Sequence, residues 1–222
     1  MKQYLLRFLR LILGLFVFAT GMFLAIQANV GVAAWESFAL GISNTFGLTY
    51  GRATVGIGAA ILIIDVILKE KIGVGTILNA LGVGLVIDFE QSLDIVPQPE
   101  NFVLGVIMLL CALVVQCTGS YIYISSGFGA GPRDALMIAL FKRLPKVPIG
   151  GVRGMIECTV LLLGWLLGAK IGLGTVIAVF GVSFILQGVF NFFRFDARKV
   201  VHESIIDSVK KVGSLAAGKA DA

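Results

Sequence analysis

The chain has 222 residues, of which 58% are hydrophobic and only 14% charged, at a mean hydropathy of +0.97. That leaves too little polar surface to cover a soluble globule of this length, so composition points to an all-α polytopic membrane protein. The formal charge of +5 does not indicate a nucleic-acid partner, because the 18 Lys and Arg residues are scattered at the ends of apolar runs with no basic, aromatic-interleaved face.

Residues 8–27 form the first apolar run, long enough to cross a hydrocarbon core of about 30 Å. Lys2, Arg7 and Arg10 before the apolar stretch 11–28 resemble a signal peptide, but that stretch has a counterpart at 109–126, so it is read as a retained membrane helix. After Asn29 and Gly31 comes a shorter, more polar segment, residues 34–46, too short to span. Residues 52–68 are apolar except for Asp65 and end at Lys69-Glu70-Lys71, a membrane exit. Residues 72–89 make the next run, and Pro97-Gln-Pro-Glu-Asn101 is the natural linker between halves.

The second half repeats the plan, with runs at 102–124, 148–167 and 171–193 and a short helix predicted at 132–144. Gly21 with Gly119, Ile26 with Ile124, Gly31 with Gly129 and Glu36 with Asp134 coincide at one constant offset. The turn Ile72-Gly-Val-Gly-Thr-Ile77 recurs as Ile171-Gly-Leu-Gly-Thr-Val176, and Arg52 falls opposite Arg153 after small loop insertions. The expected organisation is a first transmembrane repeat at 1–97, a second at 98–194 and a cytoplasmic tail at 195–222.

If the short segments do not cross, each half makes about three crossings. All basic residues except Arg52 and Lys170 then fall on or near the cytoplasmic face, and the acidic Asp88, Glu90, Asp94 and Glu100 fall outside. An odd number of crossings per half predicts two inverted-topology repeats, each about three transmembrane helices plus one short re-entrant or interfacial helix, with both termini cytoplasmic. The tail alternates Val200, Val201, Ile205, Ile206 and Val209 with Arg198, Lys199, Glu203, Asp207 and Lys210 at helical spacing, an amphipathic helix for the membrane surface. Its His202, the sole histidine, reads as a solvated residue.

The break at residues 125–134 reads Ser-Ser-Gly-Phe-Gly-Ala-Gly-Pro-Arg-Asp. Pro132 suits the first position of a helix, and the free N–H groups there, with Arg133 beside them, make an anion site if the segment dips into the membrane. The competing reading is a glycine hinge before an interfacial helix. Gln27, Asn29, Ser125 and Ser126 flank the two breaks and would converge if the breaks meet. Arg153 and Glu157, four apart on one helix face, pair either structurally or as part of a site. Asp65 is expected to pair with Lys69 and snorkel. The candidate substrate contacts are therefore Gln27, Asn29, Gly31, Glu36, Ser125, Ser126, Gly129, Gly131, Arg133, Asp134, Arg153 and Glu157. Cys111, Cys117 and Cys158 read as packing residues, the two Gly-x-Gly-Thr turns as close helix contacts. No catalytic set, metal cluster or cofactor motif is present in the sequence.

Gly127-Phe-Gly-Ala-Gly-Pro-Arg-Asp-Ala-Leu-Met137, then Arg153 and Glu157, Leu163-Gly-Trp-Leu-Leu-Gly168 and the Ile171 turn resemble the YczE branch of the YczE/YyaS/YitT bacterial integral membrane proteins. Ala28-Asn-Val-Gly31 and Trp35-Glu36 fit as well, and the resemblance covers about residues 10 to 193. It implies the bacterial inner membrane and no particular substrate. The leading expectation is a small secondary transporter or exporter of an anionic or zwitterionic solute, not an enzyme. The rival is a non-transporting scaffold, assembly factor or lipid-handling protein. Membrane lipids, a homodimer partner or another membrane protein are the expected associates.

Overall fold

The computed structural model describes residues 2–31, 33–48, 50–169 and 171–216. Expectations for Lys2, Arg52, Asp88, Lys170 and Lys219 fall on positions or side chains outside that set. The described chain is all-helical: α1 (Lys2–Gln27), α2 (Ala34–Phe46), α3 (Tyr50–Ile67), α4 (Val74–Ser92), α5 (Phe102–Ile124), α6 (Pro132–Arg143), α7 (Ile149–Leu166), α8 (Leu173–Phe192) and α9 (Ile205–Ala216). Five of these, α1, α4, α5, α7 and α8, are long and apolar enough to cross a membrane, and α3 contributes the shorter apolar stretch Gly56–Ile67.

Local chemistry accounts for the ends. Asn101 caps α5, its side chain accepting the Leu104 N–H at 2.9 Å. Pro132 opens α6 at a position whose N–H has no helical partner, and Lys142 and Arg143 close it, facing the negative end of the helix dipole.

The centre of the bundle is the contact between α1 and α5. A Cβ on Gly21 would run into the backbone of Gln116, one on Gly119 into Phe18, and one on Gly14 into Tyr123, so the two helices approach backbone to backbone and run antiparallel. The short helices are shared: α2 packs on both α3 and α7, and α6 on both α7 and α3. Each break docks on a Gly-Thr turn of the other half. Gly75 N–H donates to Phe128 O at 2.8 Å and Thr76 Oγ1 to Ala130 O at 2.7 Å, while Gly174 lies against Val30 and Gly31. The turn glycines are therefore docking points where a side chain would not fit.

Residues 127–143 leave one end of the bundle and return to it. Gly127 O accepts the Glu203 N–H at 2.8 Å at the start, and Arg198 binds Phe141 O and Leu144 O at the finish. Met137, Ile138 and Ala139 between them are completely buried, so α6 is an interior element and not a helix lying on the outside of the bundle.

The tail departs from expectation. Its helix begins only at Ile205, and the residues before it form a 3-10 turn and an extended strap bound to the bundle. Ser204 N–H donates to Asp207 Oδ2 at 3.0 Å and Asp207 N–H to Ser204 Oγ at 3.2 Å, a reciprocal cap that starts α9. Asp207 pairs with Lys71 at 3.3 Å, while Ile206 and Val209 are exposed. His202, read from sequence as solvated, is buried with neither ring nitrogen hydrogen-bonded, because the strap presses it under the chain.

Burial, together with Lys142 and Lys71 nearby, lowers the His202 pKa from 6.5 to about 4. Burial alone would raise that of Glu203, but hydrogen bonds from Lys211 and Arg7 outweigh it and the net shift is downward. Both folded values are depressed, so each group supports docking above its free value and the support is lost as pH falls through the folded value. Hydrogen–deuterium exchange across residues 197–211, corrected for intrinsic rate, should accelerate as pH drops from 7 to 5. In His202→Phe that window should become flat, with only the Glu203 loss remaining at lower pH.

Candidate functional site

Three charged side chains meet inside the bundle. Arg153, one turn into α7, donates from Nη1 to Asp134 Oδ1 at 2.8 Å and from Nη2 to Glu157 Oε1 at 2.9 Å. All three residues are at most 8% exposed. The i,i+4 spacing on α7 supplies the Arg153–Glu157 pair, and α6 brings Asp134 to the other side of the guanidinium.

Neighbours complete the network. Tyr123 from the end of α5 donates its hydroxyl to Asp134 Oδ2, and Ser120 Oγ donates to the same oxygen at 3.4 Å. The Gly131 N–H in turn donates to the Tyr123 oxygen at 3.3 Å, which ties the residue just before α6 to α5. From the other half, Trp35 in the first turn of α2 donates its indole N–H to Glu157 Oε1 at 3.3 Å. Arg133 lies over the Trp35 ring, 4.9 Å from its centroid. Trp35 and Arg133 occupy equivalent positions of the two halves at the offset that aligns the glycines, so the starts of α2 and α6 face each other.

The buried trio holds two carboxylates against one guanidinium, and the Arg153 Nε–H has no acceptor. A buried network of this kind is costly when any member is left unsatisfied, and the two ion pairs of Arg153 offset only part of that cost. A cavity of about 400 Å³ opens near the first break, lined by Gly31, Leu40, Asn44, Gly168, Ala169, Gly172 and Thr175. A second, of about 340 Å³, lies between the α6–α7 loop, the end of α8 and Arg198. Neither is lined by the charged trio, which is closed off beneath the surface.

The model of a family described only as a family of unknown function, DUF6198, matches residues 5–191. The chain belongs to the DUF6198 family. It is 32% identical over 190 residues to the uncharacterized membrane protein YczE of Bacillus subtilis (strain 168), covering 84% of this chain and 87% of that protein. An uncharacterized protein of Haemophilus influenzae is 29% identical over 181 residues, covering 82% of each chain. Uncharacterized protein YyaS of Bacillus subtilis is 29% identical over 172 residues, covering 75% of this chain and 84% of that one. No solved structure matches. The DUF6198 protein is thus a helical membrane protein similar to both YczE and YyaS.

In this DUF6198 chain the structure brings together Arg133, Asp134, Arg153 and Glu157, with Gly131 attached through Tyr123. The other candidates lie elsewhere. Gln27 is half-buried at the end of α1, and Asn29 is exposed, its Nδ2 donating to Gln98 Oε1 at 3.5 Å. Glu36 Oε2 accepts the Ala33 N–H at 3.4 Å and serves the start of α2. Ser125 and Ser126 bond back to carbonyls of their own helix end, Ile122 O and Tyr123 O. Gly129 packs on Gly73 and Thr76, and Gly31 on Thr175.

The expected convergence of Gln27, Asn29, Ser125 and Ser126 therefore does not occur. Because α1 and α5 are antiparallel, their ends stand about 20 Å apart along the bundle at 1.5 Å per residue. It is the far ends of the breaks that meet. Sequence reading missed Trp35, Tyr123 and Ser120 as site residues. A signal existed for the first two: Trp35 aligns with Arg133, and a tyrosine hydroxyl inside a membrane run must find a partner.

Proposed function

We propose that this protein is a secondary transporter of the bacterial inner membrane that moves a small zwitterionic or anionic solute by alternating access. The observation that carries the reading is the buried Asp134–Arg153–Glu157 network at the point where Trp35 of one half touches Arg133 of the other. Buried charges within membrane proteins cluster on substrate and ion pathways, and a site between two repeated halves is where rocking would expose it to each side in turn.

In this reading the repeats, residues 1–97 and 98–194, are inverted relative to each other, with α3 as the sixth span and α2 and α6 as re-entrant helices. The antiparallel α1–α5 contact supports it. Gly21 meets Gln116 and Phe18 meets Gly119, the reciprocal pairs expected of two equivalent helices around a local two-fold axis. The exchange of each break onto the other half's Gly-Thr turn supports it as well. Both termini are cytoplasmic, and α9 lies on the inner surface with Ile206 and Val209 toward lipid.

The solute's anionic group would face Arg133 and the start of α6, and its cationic group Glu157, the end of the network nearest α2. Arg153 holds the two carboxylates apart and leaves Glu157 oriented by Trp35. The protein should be reconstituted in liposomes and screened for flux of amino acids and other small zwitterions and anions. Glu157→Gln and Arg133→Ala are each expected to lower the initial rate at least tenfold for any transported solute. Wild-type rates in both variants would remove the site assignment. An absence of flux for every solute, with a stoichiometric membrane partner in the purified complex, would favour a scaffold or assembly role.

A further inference from the structure

Asp65 lies on α3, only two residues before its last residue, Ile67, and is 2% exposed. Neither carboxyl oxygen has a hydrogen-bond partner. The sequence suggested a pair with Lys69, but Lys69 adopts a left-handed backbone (φ 58°) and is exposed, which carries its amine away.

Among the described residues, the charges beside Asp65 are engaged elsewhere. Glu70, whose N–H binds the Asp65 carbonyl, pairs its carboxylate with Lys142 of α6 at 2.8 Å. Arg143 of α6 donates to Leu68 O and Ala139 O. On α2, the other helix packed against α3, the sole ionisable side chain is Glu36 in its first turn, already used at that helix start.

An ionised carboxylate sealed from water without a donor or counter-charge is strongly disfavoured, and the alternative is to hold a proton. A metal cation is a poor occupant. It would need several oxygen ligands, and no group of three or more His, Cys, Asp or Glu side chains suited to a metal exists among the described residues. We propose that Asp65 is a proton-binding carboxyl, neutral while α3 is packed on α6 and exchanging its proton when that packing opens. Since α6, packed against α3, also carries Arg133 and Asp134, one helix borders both the proton site and the charged network. The link from proton binding to solute movement rests on the transporter reading above; proton binding itself does not.

The test uses the full chain, purified in detergent and in lipid, with dicyclohexylcarbodiimide, which adds to protonated carboxyls in apolar surroundings, followed by mass spectrometry of the peptides. An adduct at Asp65 is expected, absent in Asp65→Asn, falling at least tenfold as pH rises from 6 to 9 and unaffected by 100 mM NaCl or KCl. Failure of folded protein to label at pH 6, a yield indifferent to pH, or protection by either cation would overturn the proposal. Asparagine is isosteric with the neutral acid, so Asp65→Asn should melt where wild type melts at pH 6. In liposomes with an identified solute, Asp65→Asn is expected to keep solute counterflow and lose accumulation driven by a pH gradient. Wild-type accumulation in that variant would overturn the coupling, while loss of counterflow in wild type would fail the transporter reading alone.

Discussion

Arg153→Met is expected to destabilise the protein by about 3–5 kcal/mol, the cost of leaving buried carboxylates without their cation. Asp134 and Glu157 would face each other with only Tyr123, Ser120 and Trp35 as donors, and at least one would have to take up a proton. Denaturant or thermal unfolding of the purified variant reads the loss. The informative comparison is the triple replacement Asp134→Leu, Arg153→Met and Glu157→Leu, which removes the charges together and is expected to recover most of the stability, as apolar substitutes for buried ion pairs commonly do. It should not recover transport. If Arg153→Met alone melts like wild type, the network does not hold α6 to α7 and the site built on it fails.

The second large effect is at the α1–α5 contact. A side chain on Gly21 would place its Cβ 2.6 Å from the Gln116 Cα, a distance at which backbone and not merely a side chain must move. Overpacking that side chains can absorb costs about 1–3 kcal/mol, and here the whole helix has to separate from its partner. Gly21→Leu and Gly119→Leu are expected to be equally damaging, since each stands at the other's equivalent position, and to reduce the yield of folded, monodisperse protein severalfold. Gly82→Leu and Gly188→Leu are the controls: nothing lies within 4 Å of a Cβ at either position, so both should purify and melt normally. A normal Gly21→Leu would mean that the close antiparallel contact is not what organises the bundle.

Much of the architecture was readable from residues alone. The apolar runs gave helix positions within a few residues, Pro132 marked the start of α6, and the paired glycine breaks identified α2 and α6 as elements too short to span. The Gly-Thr turns were expected to be close contacts, and they are, although what they contact is the opposite half's break. Arg153 and Glu157 were legible as a pair because their spacing is local to one helix turn. Arg133 and Asp134 were singled out by their place behind the glycines.

The failures share one cause. Spacing alone pairs Asp65 with Lys69, but the chain turns out of the helix just after Ile67 and the spacing no longer describes a face. His202 reads as solvated because its neighbours alternate as a surface helix does, yet its strap is held by Arg7 and Gly127, far away in sequence. Asn29 and Ser125 flanked the right segments at the wrong ends.

By itself the sequence determined a helical membrane protein and the placement of its apolar helices, because hydrophobic length and glycine breaks are local properties. Only the tertiary structure decided that Trp35 reaches Glu157, that Asp134 shares Arg153, and that Asp65 is sealed without a partner. Those contacts join residues on separate helices, and they depend on the antiparallel register of α1 against α5 and on what each helix buries, neither of which spacing within one run can encode.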